Sequence, residues 1–227
     1  MPTFVLVHGA WHGPWAWDRL VPLLHAAGAR TLTPELGSAA GHGLHDDAGI
    51  VAAALDSVAG DEVVLIGHSY AGLVVREAAD LRPSAVRHVV LMDGWAGADG
   101  TSLLDLAPGP FGQAMHAAAA DSGLVPAPPP SAFGVESTGD AAWLAQRLRP
   151  QPLRTLTEAT RLSGAVDEIP GTAVCCRPQA YPFEAFAATA GYRTITVDCP
   201  HDGVLTHPAL VARVLLGVRE QEARSLK

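Results

Sequence analysis

Short apolar runs alternate with amphipathic stretches along most of the chain. The runs TFVLVHG (residues 3–9), EVVLIGH (62–68) and RHVVLMD (87–93) are rich in Val, Ile and Leu, which is typical of parallel strands buried on both faces. Further strands are predicted at RTLTPEL (30–36), GTAVCC (171–176) and YRTITVD (192–198). Helices are predicted between them, over residues 15–27, 46–58, 71–81, 183–190 and 208–220. This alternation predicts a three-layer α/β fold, with a mostly parallel sheet and helices on both faces.

One segment, residues 95–168, interrupts the alternation, because it contains no convincing strand. It is rich in Ala and Pro, and helices are predicted around Leu103, Met115 and Trp143. A disordered loop is the alternative, but the large apolar side chains of the segment need burial (Trp95, Phe111, Met115, Phe133, Trp143 and Leu144). We therefore expect a helical cap over 95–168, inserted into a core made of residues 1–94 and 169–227.

Composition narrows the class of partner. The 227 residues suit one domain with a full core, and 48% of them are hydrophobic, as in an ordinary globular protein. The formal net charge of −8 argues against nucleic acid and anionic membranes as partners. The three cysteines do not suggest a disulfide framework, nothing basic precedes the first strand, and no apolar run is long enough to span a bilayer. A cytoplasmic monomer or homodimer is expected.

The stretch VVLIGHSYAG (63–72) carries the strongest chemical signal. A buried strand here runs into a serine among small residues, and a helix is predicted directly afterwards. A sharp turn from strand to helix would expose Ser69 at the carboxyl edge of the sheet, and it needs the small neighbours that Gly67, Ala71 and Gly72 supply. This pattern predicts a nucleophile elbow, with Ala71 in place of the usual last glycine. A serine that only caps the following helix is the alternative.

A serine nucleophile needs a general base, because a free hydroxyl is hardly ionised at neutral pH. Among the ten histidines, His201 lies in the loop DCPHDG, after the last predicted strand and before the last helix. That loop opens at the same edge of the sheet as Ser69. His88 starts a strand at the opposite edge, and His116 lies in the cap. We therefore predict that His201 is the base.

An oxyanion hole requires two backbone N–H donors. The amide of Tyr70, directly after the serine, is one candidate, and Ala10 in the loop HGAWHG after the first strand is the other. His8 and His12 in that loop are expected to hold neighbouring backbone together. A largely apolar substrate pocket is predicted from aromatic and cap residues, namely Trp11, Trp95, Phe111, Met115 and Trp143.

Three stretches of the chain resemble the α/β-hydrolase superfamily. They are FVLVHGAWHGPWAWDRLVPLL, VVLIGHSYAGLVV and DCPHDGVLTHPAL. The chain is most similar to the branch of small esterases and hydroxynitrile lyases that includes the plant methylesterases, and the resemblance is weakest in the cap. It implies an α/β-hydrolase fold, with Ser69 as nucleophile, His201 as base, and Ala10 and Tyr70 as amide donors. Hydroxynitrile lyases of this branch use a lysine beside the catalytic histidine. Asp202 stands there in this chain, so cyanohydrin cleavage is not expected.

The acid of a catalytic triad is the least determined residue. Relatives carry an Asp about two residues past the strand GTAVCC, where this chain has Pro178. Asp93 ends the strand RHVVLMD at the same sheet edge, and some lipases of the superfamily carry their acid there. We therefore predict Asp93 as the acid. A purely structural Asp93, an acid at Glu184 or Asp198, and a serine–histidine dyad stay open.

The leading hypothesis is a serine hydrolase of the carboxylic esterase type, which acts on a small, largely apolar acyl ester and needs no cofactor. Two alternatives stay open. The same site could act on a carbon–carbon bond or a thioester of a polyketide-like intermediate, or the chain could be a small-molecule binding protein on a hydrolase scaffold. A metal site in GHGLHDD (41–47) is not expected, since its acidic residues begin a predicted helix.

Overall fold

A six-stranded parallel sheet forms the centre of the computed structural model, which describes residues 2–225 and side chains as far as residue 218. Its strands are β1 (Thr3–Val7), β2 (Arg30–Leu32), β3 (Val63–His68), β4 (His88–Met92), β7 (Gly171–Cys176) and β8 (Arg193–Val197). Their order is β2-β1-β3-β4-β7-β8, and every neighbouring pair is parallel. The predicted parallel sheet is therefore confirmed.

The α-helices lie between the strands, much as the periodicity predicts. They are α1 (Val21–Ala26), α2 (Leu44–Asp56), α3 (Ala71–Leu81), α4 (Leu103–Leu106), α5 (Gly109–Ala118), α6 (Thr138–Ala145), α7 (Leu153–Thr157), α8 (Phe183–Thr189), α9 (Gly203–Thr206) and α10 (Pro208–Ser225). The helix predicted over 15–27 is broken into a 3₁₀ segment, Pro14–Trp17, and α1. Each piece begins beside a proline, which lacks the N–H needed inside a longer helix. Among the described residues, no helix combines the length and apolar character needed to cross a membrane.

Side chains of the strands alternate between the two faces of the sheet, and helices cover both. Val5, Val7 and Leu65 pack in one core cluster with residues of α2, α3 and α8. Phe4 and Leu6 point the other way and pack in a second cluster, with residues of α1 and α10. This arrangement confirms the three-layer fold, and it leaves the carboxyl ends of the strands free to carry a site.

Residues 95–168 contain α4 to α7, together with two short strands. β5 (Leu124–Val125) and β6 (Gln151–Pro152) pair antiparallel outside the main sheet. The expectation that this segment has no strand is therefore wrong. Each strand is only two residues long and one of them contains a proline, so neither has an alternating pattern that a sequence could reveal.

Candidate active site

Ser69 lies at the sharp turn between β3 and α3. Its φ of 54° is in the left-handed region, where a residue with a side chain is held only by its surroundings. Those surroundings are hydrogen bonds: the Ser69 N–H donates to the Met92 oxygen at 3.1 Å, and the Ser69 oxygen accepts from Gly72 and Trp95 at 2.9 and 3.1 Å. The turn is therefore tied both to its own helix and to the end of β4.

Small residues make this turn possible, as the sequence predicts. A Cβ on Gly67 would lie 2.5 Å from the Ala71 oxygen, and a Cβ on Gly72 would clash with the backbone of Trp95. On the other side, a Cβ on Gly9 would lie 3.1 Å from the Ser69 Cβ. The loop after β1 therefore approaches the serine as closely as backbone allows.

Asp93 and His201 face each other at the same edge of the sheet. The Asp93 Oδ2 lies 3.0 Å from the His201 Nδ1, and the Asp93 Oδ1 accepts the Cys176 N–H at 2.7 Å. Asp93 is 1% exposed, and its φ of 43° is also left-handed. A carboxylate at this position keeps the proton on Nδ1, which leaves the Nε2 of His201 free to accept one.

Neighbouring rings fix the orientation of His201. Its ring stacks on Phe183, with centroids 5.7 Å apart and an interplanar angle of 12°. The His68 Nε2–H donates to the His201 backbone oxygen at 3.0 Å, so His68 supports the loop rather than the serine. Glu184, an alternative acid from the sequence, instead pairs with Arg177.

An apolar cavity of about 160 Å³ lies against Ser69 and His201. Six residues predicted to form the pocket or oxyanion hole line it, namely Ala10, Trp11, Tyr70, Trp95, Phe111 and Met115. Further lining residues that the sequence did not single out for the pocket are Leu103, Pro126, Pro128, Ala132, Phe133, Leu156, Ala180 and Tyr181. They come from elements whose meeting depends on tertiary packing, and no local pattern marks them.

Trp143 does not line this cavity, so its predicted place in the pocket is wrong. Its ring packs against Trp15, with centroids 5.5 Å apart, and the Arg147 guanidinium lies 4.1 Å from the ring centroid. This packing leaves Trp143 half-buried outside the cavity, so the need of a tryptophan for burial carried no information about the substrate.

A wider and more polar groove of about 780 Å³ adjoins this cavity at His201. It shares Ala132, Phe133, Ala180 and His201 with the cavity, and its polar lining includes Glu136, Ser137, Asp140, Arg177, Gln179, Asp198, Thr206 and His207. Ser69 and the two candidate amide donors, Ala10 and Tyr70, line the cavity but not the groove. His201 thus stands between two spaces of different chemical character.

The side chain of Tyr70 is anchored on a buried carboxylate. Its hydroxyl donates to the Asp47 Oδ2 at 2.7 Å, and the Asp47 Oδ1 accepts from the Gly37 N–H at 2.9 Å and lies 2.6 Å from the His42 Nε2. Burial raises the pKa of Asp47 and holds the pKa of Tyr70 well above its usual value. Within residues 2–225, no group of three or more His, Cys, Asp or Glu side chains is arranged to hold a metal ion.

Known proteins resemble this chain, some of them over most of its length. The model of the alpha/beta hydrolase family matches residues 4–214. A carbendazim hydrolyzing esterase of Nocardioides sp. (strain SG-4G) is 31% identical over 244 residues, which cover 95% of this chain and 98% of that protein. An alpha-hydroxynitrile lyase of Arabidopsis thaliana is 33% identical over 101 residues, or 40% of this chain and 39% of that protein. An extracellular alpha/beta-hydrolase from a Paenibacillus species has a TM-score of 0.83 at 23% identity, over 96% of this chain and 98% of its own.

These matches define the class of protein. The chain belongs to the alpha/beta hydrolase family and, within it, to the esterase branch that also contains hydroxynitrile lyases. The family predicted from the three sequence stretches is therefore confirmed, as is the fold that it implies.

Proposed function

We propose that the protein is a serine hydrolase of the carboxylic esterase type, with Ser69 as nucleophile, His201 as base and Asp93 as acid. One observation carries the proposal: an elbow serine and a histidine held 3.0 Å from a buried carboxylate line the same apolar cavity. The Asp93 carboxylate stabilises the imidazolium that forms when the His201 Nε2 takes the serine proton.

The reaction follows from these positions. The Ser69 Oγ attacks the carbonyl carbon of an ester, and the proton of the hydroxyl passes to His201. The carbonyl oxygen becomes an oxyanion, which the N–H groups of Ala10 and Tyr70 bind. The protonated His201 then delivers its proton to the departing alcohol, and water hydrolyses the acyl-enzyme by the same steps.

The two spaces around His201 orient the substrate. The carbonyl oxygen must face the amides of Ala10 and Tyr70, two residues that line the cavity. The leaving oxygen must face His201, which lines both spaces. The acyl group therefore occupies the cavity and the alcohol points towards the groove. A cavity of about 150 Å³ holds a benzene-sized molecule, so we infer a small apolar acyl group and a tolerance for larger, more polar alcohols.

The cap is part of this proposal. We assign residues 95–168 as the cap and residues 1–94 and 169–227 as the core, since the segment supplies Trp95, Phe111 and Met115 to the cavity wall. We also propose a cytoplasmic location, because all three cysteines are buried free thiols, as a reducing compartment favours. Cell fractionation with a tagged chain tests this location.

Ser69→Ala tests the nucleophile. The variant should lose hydrolysis of p-nitrophenyl butyrate and labelling by a fluorophosphonate probe, with a Tm close to that of the wild type. Ser57→Ala, at an exposed hydroxyl that bonds only its own helix, is the matched control and should keep both. Labelling that survives in Ser69→Ala would contradict the mechanism. A wild-type protein that binds esters without any labelling or turnover would favour the binding-protein alternative.

A further inference from the structure

A second buried histidine–carboxylate pair lies beside the proposed triad. The His12 Nε2 is 3.0 Å from the Asp202 Oδ2, and the two residues are 4% and 0% exposed. His12 follows the amide donor Ala10 by two positions, and Asp202 directly follows the base His201. No step of the proposed reaction uses either side chain.

Hydrogen-bond partners determine the charge of His12. Its Nδ1 is 2.8 Å from the Ala10 carbonyl oxygen, which can only accept, so Nδ1 carries a proton. Its Nε2 faces the Asp202 carboxylate, which also accepts. Both ring nitrogens therefore donate, and the pair is an imidazolium facing a carboxylate.

The electrostatic setting agrees with this charge. Burial lowers the pKa of His12, but the Asp202 carboxylate and the hydrogen bond to the Ala10 oxygen together outweigh burial and leave that pKa raised. Burial raises the pKa of Asp202, but attraction to His12, together with smaller contributions from His68 and His201, outweighs burial and leaves that pKa lowered. Both shifts favour the ion pair over its neutral form.

The neighbouring histidines differ from His12. Burial lowers the pKa of His8 to about 3 and that of His68 to about 4. The His68 Nε2 lies 3.9 Å from the Asp202 Oδ1, but its hydrogen bond goes to the His201 backbone oxygen at 3.0 Å. The His8 Nε2 accepts a backbone N–H, which requires a neutral ring, and the Nδ1 of His68 has no partner. The charged or titratable groups around the pair are His8, His68, His201 and Arg149, and the last donates to the His12 backbone oxygen at 3.0 Å.

The pair connects the loops that carry two parts of the proposed machinery. Trp11, between Ala10 and His12, has a left-handed φ of 65°, which must be held by its surroundings. The bond from His12 to the Ala10 oxygen spans this residue and fixes the turn. At the other end, the Asp202 N–H donates to the Phe133 oxygen at 3.1 Å. The ion pair thus connects the loop that carries Ala10 to the loop that carries His201.

We propose that the His12–Asp202 ion pair positions the Ala10 amide relative to the His201 ring, a role that rests on the proposed serine mechanism. Neither side chain touches the substrate, so both are positioning residues. The oxyanion exists in the tetrahedral intermediate and in the transition states on either side of it, and it is absent when the substrate first binds. Loss of the pair therefore lowers kcat, whereas binding in the apolar cavity, and with it KM, changes little.

Two measurements test the proposal, and the first uses the wild-type protein. ¹⁵N NMR of the imidazole nitrogens should show both His12 nitrogens protonated at neutral pH, because each faces an acceptor oxygen. In the second, His12→Gln should lower kcat by about 100-fold with KM within a few-fold, because a misplacement of about 1 Å costs that much. His88→Gln, at a buried histidine of the opposite sheet edge, is the control and should keep kcat per folded molecule.

A double variant covers the case in which His12→Gln fails to fold because it leaves a buried carboxylate unpaired. His12→Gln combined with Asp202→Asn removes both charges, keeps hydrogen-bonding groups, and should still lose kcat. A His12 ring that is neutral at pH 7, or a folded double variant with kcat within about two-fold of the wild type, would overturn the proposal. Failure of the serine mechanism looks different, because the wild type would then resist the fluorophosphonate probe while the NMR spectrum still reported a charged His12.

Discussion

The Asp93 Oδ2 lies 3.0 Å from the His201 Nδ1, although the two residues follow strands that are not neighbours. Asp93 follows β4, His201 lies in the loop after β8, and β7 runs between them in the sheet. The Asp93 side chain therefore reaches across the end of β7, whose last residue, Cys176, donates its N–H to the second carboxylate oxygen at 2.7 Å. A carboxylate from β4 can thus meet the imidazole without any acid at the position of Pro178.

We expect Asp93→Asn to lower kcat by about 10⁴, because an amide at this position imposes the wrong tautomer. The amide oxygen can still accept the Cys176 N–H, which turns the NH₂ group towards the His201 Nδ1. The ring proton then moves to Nε2, which can no longer accept the serine proton. The values of kcat, KM and Tm, measured together, check the prediction, and KM and Tm should change little.

Glu184→Gln is the matched control for the acid. Its carboxylate pairs with Arg177 at the surface, so removal of its charge should leave kcat within a few-fold. A folded Asp93→Asn enzyme with normal kcat would instead make Asp93 structural and leave a serine–histidine dyad.

His201→Ala should lower kcat by about 10³ or more, because the base both takes and returns the proton. His116→Ala, on the exposed side of α5, should keep kcat within about two-fold. Hydrolysis of p-nitrophenyl butyrate measures both variants. Comparable losses of kcat in the His201→Ala and His116→Ala variants would contradict the assignment of His201 as the base.

Acid should unfold the protein through its buried neutral histidines. The folded pKa is about 3 for His8 and about 4 for His68 and His88, below the unfolded value of about 6.5. Their contribution to stability is therefore present above about pH 6.5 and is lost as the pH falls towards 4. Three protons taken up on unfolding correspond to a slope of about 4 kcal/mol per pH unit. Urea unfolding between pH 4 and 6.5 measures this slope, and His8→Gln should lower it by about a third.

Much of the fold and part of the site follow from local pattern. Apolar runs predict β1, β3, β4 and β7 because parallel strands buried on both faces need continuous hydrophobic residues. The turn at Ser69 follows from its small neighbours, since the structure shows what a Cβ at Gly67 or Gly72 would strike. Parallel strands end at one edge of the sheet, so the alternating pattern also places Ser69 after β3, Asp93 after β4 and His201 after β8 at that edge.

Other parts could not be predicted, because they depend on contacts between distant segments. The sequence placed Trp143 in the pocket because a tryptophan needs burial, but packing against Trp15 satisfies that need equally well. The partner of Asp202 is 190 positions away at His12, and no periodicity reports such a pairing. The two-residue strands within residues 95–168 are likewise too short to leave a signal.

Tyr70→Phe should lower stability more than catalysis. The change removes the hydroxyl that donates to the buried Asp47 at 2.7 Å and leaves this carboxylate one bond short, at an expected cost of about 1–3 kcal/mol. The backbone N–H proposed for the oxyanion hole is kept, so kcat per folded molecule should stay within a few-fold. Urea unfolding and initial rates, measured on the same sample, separate the two effects. A large loss of kcat without loss of stability would mean that the hydroxyl takes part in the reaction.

Phe111→Ala should lengthen the acyl chain that the enzyme accepts. Phe111 lines the apolar cavity of about 160 Å³ and packs on Tyr181, with ring centroids 6.0 Å apart, so its truncation opens the wall next to the acyl group. Each additional methylene that is buried contributes about 0.8 kcal/mol, or roughly a four-fold gain in kcat/KM. The optimum of kcat/KM along a series of p-nitrophenyl esters should therefore move to longer chains. Trp143→Ala truncates a large aromatic residue outside the cavity, and its dependence of kcat/KM on chain length should match that of the wild type. A shift to longer chains in Trp143→Ala but not in Phe111→Ala would place the acyl group elsewhere.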